Sequence, residues 1–188
     1  MTDGGALLRQ LPDSMSDGIV LLDPYRIEDA EEHHLGEDEE MRRRFDADRP
    51  ATLEETRRAV ERWVAGRAAG GPMFAYALRD PSGRLMGGCE LRMRSADSAN
   101  VSYWLFPAFR GRGYAVRALD LLSAAARELA GLNRLEACIS PDNHASLRVA
   151  ERAAFVYAGT EQEKLPTGAF RTMLLYVKPV HGADGERH

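Results

Sequence analysis

Residues 100–115 read Asn-Val-Ser-Tyr-Trp-Leu-Phe-Pro-Ala-Phe-Arg-Gly-Arg-Gly-Tyr-Ala, and this stretch decides how the rest of the chain is arranged. Asn100 to Phe106 is rich in β-branched and aromatic residues, which predicts a strand. Pro107 closes it, because proline cannot donate to a sheet ladder. Arg110-Gly111-Arg112-Gly113 predicts a tight turn whose glycines admit backbone angles that a side chain resists. Beyond it, Ala115, Leu119, Leu122, Ala126 and Leu129 recur every three or four residues, one face of a helix that Gly131 is placed to end. Free N–H groups in the turn and the positive end of the helix would together cradle an anion. The unit lacks the third glycine of a dinucleotide fingerprint and the Gly-Lys-Ser/Thr of a P-loop.

Upstream, Ile19 to Leu22 predicts a short strand closed by an Asp23-Pro24 turn. Ile27 to Phe45 is dense in charge, with apolar residues at Ala30, Leu35 and Met41, and predicts two short helices. His33 and His34 fall on their surface or line an adjoining pocket. Thr52-Leu-Glu-Glu55 is a capping box, in which a hydroxyl and a carboxylate three residues apart satisfy each other's backbone donors. The helix behind it turns Leu53, Val60, Trp63, Val64 and Ala68 inward and ends at Gly70-Gly71. Met73 to Leu78 and Leu85 to Met93 form a hairpin around Arg79-Asp-Pro-Ser-Gly83, with Gly87-Gly88 marking a bulge or a close backbone approach. Downstream, Arg134 to Ile139 predicts a strand, and Asn143 caps a helix from about Ala145 to Ala154. Phe155 to Glu163 and Ala169 to Lys178 then pair around Pro166-Thr-Gly168. Residues 1–18 are expected to form a flexible leader and 179–188 a flexible tail, leaving one α+β domain over 19–178.

With 188 residues and 44% apolar composition, the chain fills one core and is short for two. A net charge of −4, with no basic stripe interleaved with aromatics, argues against a nucleic-acid partner. No apolar run approaches the ~18 residues of a membrane span, and no basic-plus-apolar start reads as a secretory signal. Cys89 and Cys138 sit in strand-like runs and read as buried free thiols, so a cytoplasmic location is expected. The expected assembly is a monomer or a homodimer.

Arg110-x-x-Gly113-x-Ala115 resembles the acyl-CoA pyrophosphate signature, Arg/Gln-x-x-Gly-x-Gly/Ala, of the GNAT superfamily of N-acetyltransferases. Asn143-His-Ala-Ser146 and Ala153-Ala-Phe155 resemble the Asn-x-x-Ser and Gly-Phe landmarks of the branch that contains the ribosomal-protein N-terminal (alanine/serine) acetyltransferases. The resemblance covers roughly residues 19–178 and is densest from Val101 to Phe155. It implies a GNAT fold, a single mixed, largely antiparallel sheet splayed in the middle and flanked by helices. It also implies acetyl-CoA as acyl donor, with no metal. In that reading the backbone N–H groups of Arg110, Gly111, Arg112, Gly113, Tyr114 and Ala115 hold the pyrophosphate. The pantetheine arm pairs along Tyr103 to Phe106, and the N–H of Leu105 or Phe106 polarises the thioester carbonyl. Asn143 contacts the pantetheine arm, and Ser146 protonates the departing thiolate. Read as plain local chemistry, Arg110 and Arg112 are surface arginines, Asn143 is an N-cap and Ser146 a first-turn hydroxyl. Many other GNAT branches use a tyrosine seven residues after the asparagine, and here that residue is Ala150.

The general base departs from the family pattern. The family often carries Glu-Ile-Gly-Tyr-Trp before the turn, whereas this chain reads Asn100-Val-Ser-Tyr103-Trp104. Asn100 takes no proton, although with Ser102 on the same strand face it can hold a water. Glu90 on the neighbouring strand and Glu136 on the strand beyond the helix are the available carboxylates, and a solvent relay is a third route. The acidic run Glu37-Asp-Glu-Glu40 suits a cationic amine or a solvated helix face. The resemblance implies an acetyl-CoA-dependent N-acetyltransferase acting by direct attack in a ternary complex. Its acceptor would be a primary amine, either a protein N-terminus or a small molecule such as an aminoglycoside. The alternatives are a non-catalytic acyl-CoA-binding or regulatory module, and an acyltransferase for a larger acyl-CoA. A dehydrogenase would need a parallel sheet, which the hairpins oppose.

Overall fold

In the computed structural model, which describes residues 11–44, 49–164 and 170–181, eight strands form one sheet. They are β1 (Met15–Ser16), β2 (Leu21–Pro24), β3 (Met73–Arg79), β4 (Leu85–Met93), β5 (Ser98–Leu105), β6 (Arg134–Ile139), β7 (Val156–Lys164) and β8 (Phe170–Pro179). The described helices are α1 (Asp29–Gly36), α2 (Glu39–Arg44), α3 (Leu53–Ala69), α4 (Tyr114–Ala126) and α5 (His144–Arg152). The strands lie in the order β1-β2-β3-β4-β5-β6-β8-β7. Every neighbouring pair is antiparallel except β5 with β6. This is the mixed, largely antiparallel sheet that the resemblance implied.

The splay lies between the two parallel strands. Ser98 to Asn100 pair with Arg134 to Glu136, and then the strands part. From Val101 to Leu105, β5 stays paired with β4 alone, while β6 from Ala137 to Ile139 stays paired with β8. A wedge therefore opens in the middle of the sheet, on the unpaired edge of β5.

Local chemistry accounts for most element boundaries. The Thr52 hydroxyl accepts from Glu55 N at 3.2 Å while the Glu55 carboxylate accepts from Thr52 N at 2.8 Å, so the capping box forms as read. Asn143 Oδ1 accepts from Ser146 N at 3.1 Å and starts α5. Gly88 faces the ring of Trp104 and the Tyr25 hydroxyl so closely that a Cβ there would collide with both. Next to it, the β3–β4 register slips between Leu78 and Arg79, whose partners are Gly87 and Leu85, and Met86 is left in the bulge. Tyr25, Trp63 and Trp104 stack on this face, with Tyr25–Trp63 centroids at 4.6 Å and Trp63–Trp104 at 5.7 Å. α1 and α3 cover that face, and α5 packs on the opposite one through Tyr103.

Several boundaries differ from the sequence reading. β1 pairs with β2 ahead of Ile19, and Leu11 and Met15 are buried, so the packed structure starts inside the expected leader. At the other end, β8 runs to Pro179 and Val180 is buried. Residues 1–10 of the leader, the Pro166-Thr-Gly168 turn and residues 182–188 of the tail lie outside the described residues. Asp23 and Pro24 belong to β2, on its outer stretch, rather than to a turn. Ala68 is exposed, and α4 ends at Ala126, with Gly131 in the loop that follows at φ +88°.

Arg79 is the last residue of β3, 3% exposed, and not part of the hairpin turn. Its guanidinium meets Asp23 and Asp29, each at 2.7 Å, and so ties β2, β3 and α1 together. Removing one partner of such a buried pair costs about 3–5 kcal/mol, because the other charge is left stranded.

Ala154, which follows α5, holds φ +63°. The left-handed region costs a non-glycine residue roughly 1–2 kcal/mol. Glycine regains that strain but gives up some entropy to the unfolded chain, about 0.5–1 kcal/mol. Ala154→Gly is therefore expected to raise the melting temperature by about 1–3 °C in a chain of this size. A lowered melting temperature in thermal unfolding would show that the strain is absent.

Candidate active site

Gly113 caps α4 at φ +81°, and Gly111 precedes it at φ +76°. An added Cβ at either position would meet open space, so backbone angle rather than crowding demands the glycines. Two left-handed residues in quick succession turn the local N–H groups outward. Those of Gly111, Arg112, Gly113, Tyr114, Ala115 and Val116 make no hydrogen bond among the described residues; Arg117 is the first to bond back, to Gly113 O at 3.2 Å. Such an array at a helix N-terminus is an anion cradle. Arg112 is exposed beside it and makes no ion pair among the described residues.

Arg110 has a different place from the one expected. Its Nε donates to Leu105 O at 2.9 Å, and its two terminal nitrogens grip Asp38 at 2.7 and 2.8 Å, with Glu40 at 3.1 Å. The bidentate pair holds the Asp38 carboxyl below the usual carboxylate range. Arg110 thus locks the end of β5 to the start of α2, and its charge is already matched. Three residues of the acidic run are engaged: Asp38 and Glu40 meet Arg110, and Glu37 lies 3.3 Å from His33 Nε2, while Glu39 is exposed with no ion pair among the described residues.

Two clefts flank the wedge. One, of about 190 Å³, runs from the glycine turn along Leu105, Arg110, Gly111 and Ala115 to Asn143, Ser146 and Val149. The other, of about 450 Å³, opens between Ser102 on β5 and Cys138 on β6, with Arg43, Arg44 and Arg171 around it. Both touch Arg44, Tyr103, Asn143 and Ser146, so the clefts meet there. Tyr103 OH donates to Ser146 O at 3.0 Å, and burial pushes its own ionisation up to about 12, so it remains a donor at neutral pH. Ser146 is held from below by Tyr103 and from its N-terminal side by Asn143.

Of the two strand donors, Phe106 N is already engaged, bonding Met86 O at 2.9 Å on the β4 side. Antiparallel ladders alternate, so the preceding N–H, on Leu105, faces the opposite side, where β6 has departed. Leu105 is the donor that addresses the wedge.

The two carboxylates separate clearly. Glu136 is 5% exposed and bonded by Arg94 at 3.0 Å and Arg134 at 2.8 Å. Both its oxygens are taken up by guanidinium groups, in an ion-pair network that also takes in Glu161, 2.8 Å from Arg94. Glu90 stands directly opposite Ser102 in the β4–β5 ladder, beside Trp104 on the same face. It lines a third cleft, of about 330 Å³, with His33, Met41, Trp63 and Trp104. Burial there raises the Glu90 carboxyl above its ordinary range, and Arg92 at 3.4 Å offsets it only in part. Asn100 donates weakly to Ser102 Oγ at 3.4 Å, while its Oδ1 is buried without a partner.

His33 is 4% exposed, edge-on to Trp63, Trp104 and Phe106, so it lines the third cleft rather than the helix surface. Cys89 is buried as read; Cys138 is half-buried, donates to Glu161 at 3.3 Å, and has its thiol pushed up to about 12, chiefly by burial. Tyr103 was named in sequence as strand and as one end of the pantetheine edge, without its bond to Ser146. Its alternation with Ser102 and Trp104 was the signal that puts it on the opposite face. Nothing in the local sequence marked Arg43, Arg44 and Arg171 as one cluster. Among the described residues, no helix is long and apolar enough to cross a membrane.

Residues 20–156 match the family described as the acetyltransferase (GNAT) domain. No curated protein is matched at a significant level. Among solved structures, the microcin C7 self-immunity acetyltransferase MccE, in complex with acetyl-CoA and AMP, superposes with a TM-score of 0.74 at 17% identity, over 90% of this chain and 98% of that one. Mycobacterium smegmatis RimJ, in complex with CoA-disulfide, gives 0.69 at 20% identity over 90% and 86%. A Salmonella typhimurium acetyl transferase that modifies the N-terminal serine of a 50S ribosomal subunit protein gives 0.71 at 20% over 90% and 98%. At these identities the likeness is one of fold. The family match carries more, because it spans both the splayed strands and the glycine turn between Val20 and Val156, and the chain belongs to the GNAT acetyltransferase family.

Proposed function

We propose that this protein transfers an acetyl group from acetyl-CoA to a primary amine by direct attack within a ternary complex. The observation that carries the reading is the run of unpaired N–H groups from Gly111 to Val116, opening onto a sheet wedge where two clefts meet. MccE, solved with acetyl-CoA, and RimJ, solved with CoA-disulfide, share this fold and support the choice of donor.

The N–H groups of the turn and the end of α4 hold the donor's pyrophosphate, with the helix dipole adding about 0.3–1 kcal/mol per favourable charge. Arg112 adds a charge-assisted contact from the rim. The free edge of β5 takes the pantetheine arm as an extra strand, and Leu105 N–H polarises the thioester carbonyl. A preorganised donor in that position is worth roughly 2.7–4 kcal/mol. The acceptor enters from the Ser102–Cys138 side. Glu90, raised by burial, takes the amine proton through a water held by Ser102 and Asn100 Oδ1, which leaves a neutral nucleophile. Ser146, positioned by Asn143 and Tyr103, returns a proton to the departing thiolate. The two free cysteines fit a reducing compartment and support the cytoplasmic location.

The test is release of free thiol when acetyl-CoA is mixed with primary amines. Ser146→Ala is expected to lower kcat by about 100-fold while the Kd for acetyl-CoA stays within about twofold, under 0.5 kcal/mol. Full turnover in the variant would assign thiolate protonation elsewhere. Acetyl-CoA binding by wild type without thiol release for any amine would favour the non-catalytic binding module.

A further inference from the structure

The cleft through which the acceptor enters carries Arg43, Arg44 and Arg171, and Asp142 is the one carboxylate among its described lining residues. That carboxylate is already bonded, to Ser140 Oγ at 2.5 Å and to Arg44 at 2.9 Å. Arg171 meets Glu163 at 2.6 Å, outside the lining. Arg43 is exposed and has no ion pair among the described residues, and the Nε–H of Arg44 is buried without an acceptor. Among the described residues, the lining thus carries three arginines to one carboxylate. Among the described acidic residues near Arg43 and Arg44, Glu40 meets both Arg110, at 3.1 Å, and Arg44, at 3.9 Å, while Asp38 faces Arg110 and Glu37 faces His33.

We infer that the acceptor is an anionic amine, a primary amine carrying a carboxylate or phosphate a few atoms away, which Arg43 and Arg44 at the end of α2 and Arg171 at the start of β8 receive. Guanidinium groups from two sides match the oxygens of a carboxylate or phosphate and would use the vacant Nε–H of Arg44. The same charges repel cationic amines. They also disfavour the ammonium form of an amine brought among them, which favours the neutral nucleophile the reaction needs. The inference rests on the acyl-transfer reading for the direction of entry, and on the arginines alone for the anion.

The experiment compares matched amines with the full chain and acetyl-CoA, following thiol release. One arm sets phosphoethanolamine against ethanolamine; the other sets a peptide beginning Ser-Glu-Glu against one beginning Ser-Lys-Lys. The anionic member of at least one arm is expected to have kcat/KM about tenfold higher or more, with the advantage shrinking as salt rises. The arm that turns over tells a small molecule from a protein N-terminus. Arg43→Glu should erase the preference and leave the acetyl-CoA Kd unchanged. A preference for the neutral or cationic member, or one that survives both Arg43→Glu and Arg171→Gln, overturns the inference. So does a loss of acetyl-CoA affinity in these variants with acceptor preference intact, since the arginines would then belong to the donor. Independently of turnover, inorganic phosphate titrated into the acetyl-CoA-loaded protein should shift the Arg44 Nε–H resonance in wild type and not in Arg43→Glu. A resonance that does not move contradicts the anion site even if acyl transfer is confirmed. A shift without any acyl transfer supports the anion site and removes the acyl-transfer reading instead.

Discussion

Replacing Gly113 by glutamate is expected to raise the Kd for acetyl-CoA on the order of 100-fold. The new side chain fits, since the space around Gly113 is open, so the effect is one of charge and backbone angle. A carboxylate at the helix N-terminus competes for the N–H groups of Gly111 to Val116 and faces the incoming diphosphate. Two like charges about 5 Å apart at an effective dielectric near 20 repel by about 3 kcal/mol, which corresponds to that fold-change. Gly113→Ala separates the causes. It carries the cost of φ +81°, roughly 1–2 kcal/mol of fold stability, without the charge. Calorimetric titration of both variants should therefore show a much smaller loss of affinity for alanine. Equal losses would mean that turn geometry, and not anion binding, is what the glycine serves.

Glu90→Gln is expected to lower kcat by about 100-fold or more, the scale of a positioned general base. It should do so while making the fold more stable at neutral pH. The sign follows from the direction of the shift. Burial raises the folded-state carboxyl above its unfolded value, so the group favours folding most at pH below the unfolded value, and that contribution is lost as pH rises through the folded one. At neutral pH the wild type holds a desolvated carboxylate that glutamine does not. Turnover has the opposite dependence, rising with pH as Glu90 loses its proton, and the glutamine variant should lack that limb. A variant that keeps wild-type kcat and pH profile would move the base elsewhere; Glu136, bonded by Arg94 and Arg134, is poorly placed to inherit the role.

What could be read in the sequence was whatever neighbours in the chain decide. The glycine turn, the caps at Thr52 and Asn143 and the turn of the β3–β4 hairpin all rest on residues within a few positions of each other. Those local signals, with the resemblance they supported, were enough for the fold and the family. What could not be read depends on partners far apart in sequence. Arg79 looked like a turn residue because Asp23 and Asp29 lie some 50 positions away. Arg110 looked available to a phosphate because nothing local announces Asp38, 72 positions away. Glu136 and Glu90 were indistinguishable until the arginines around one and the aromatic cleft around the other were in view. β1 was missed because two residues carry no period.

The most direct test of the acyl-transfer account is titration calorimetry of the wild-type chain with acetyl-CoA, with free CoA and NADH alongside. Micromolar binding of acetyl-CoA and CoA, with none of NADH, is the predicted result, and Gly113→Glu should weaken it about 100-fold. No heat with acetyl-CoA, or the same affinity in Gly113→Glu, would contradict the assignment of the Gly111 to Val116 cradle and with it the proposed donor site.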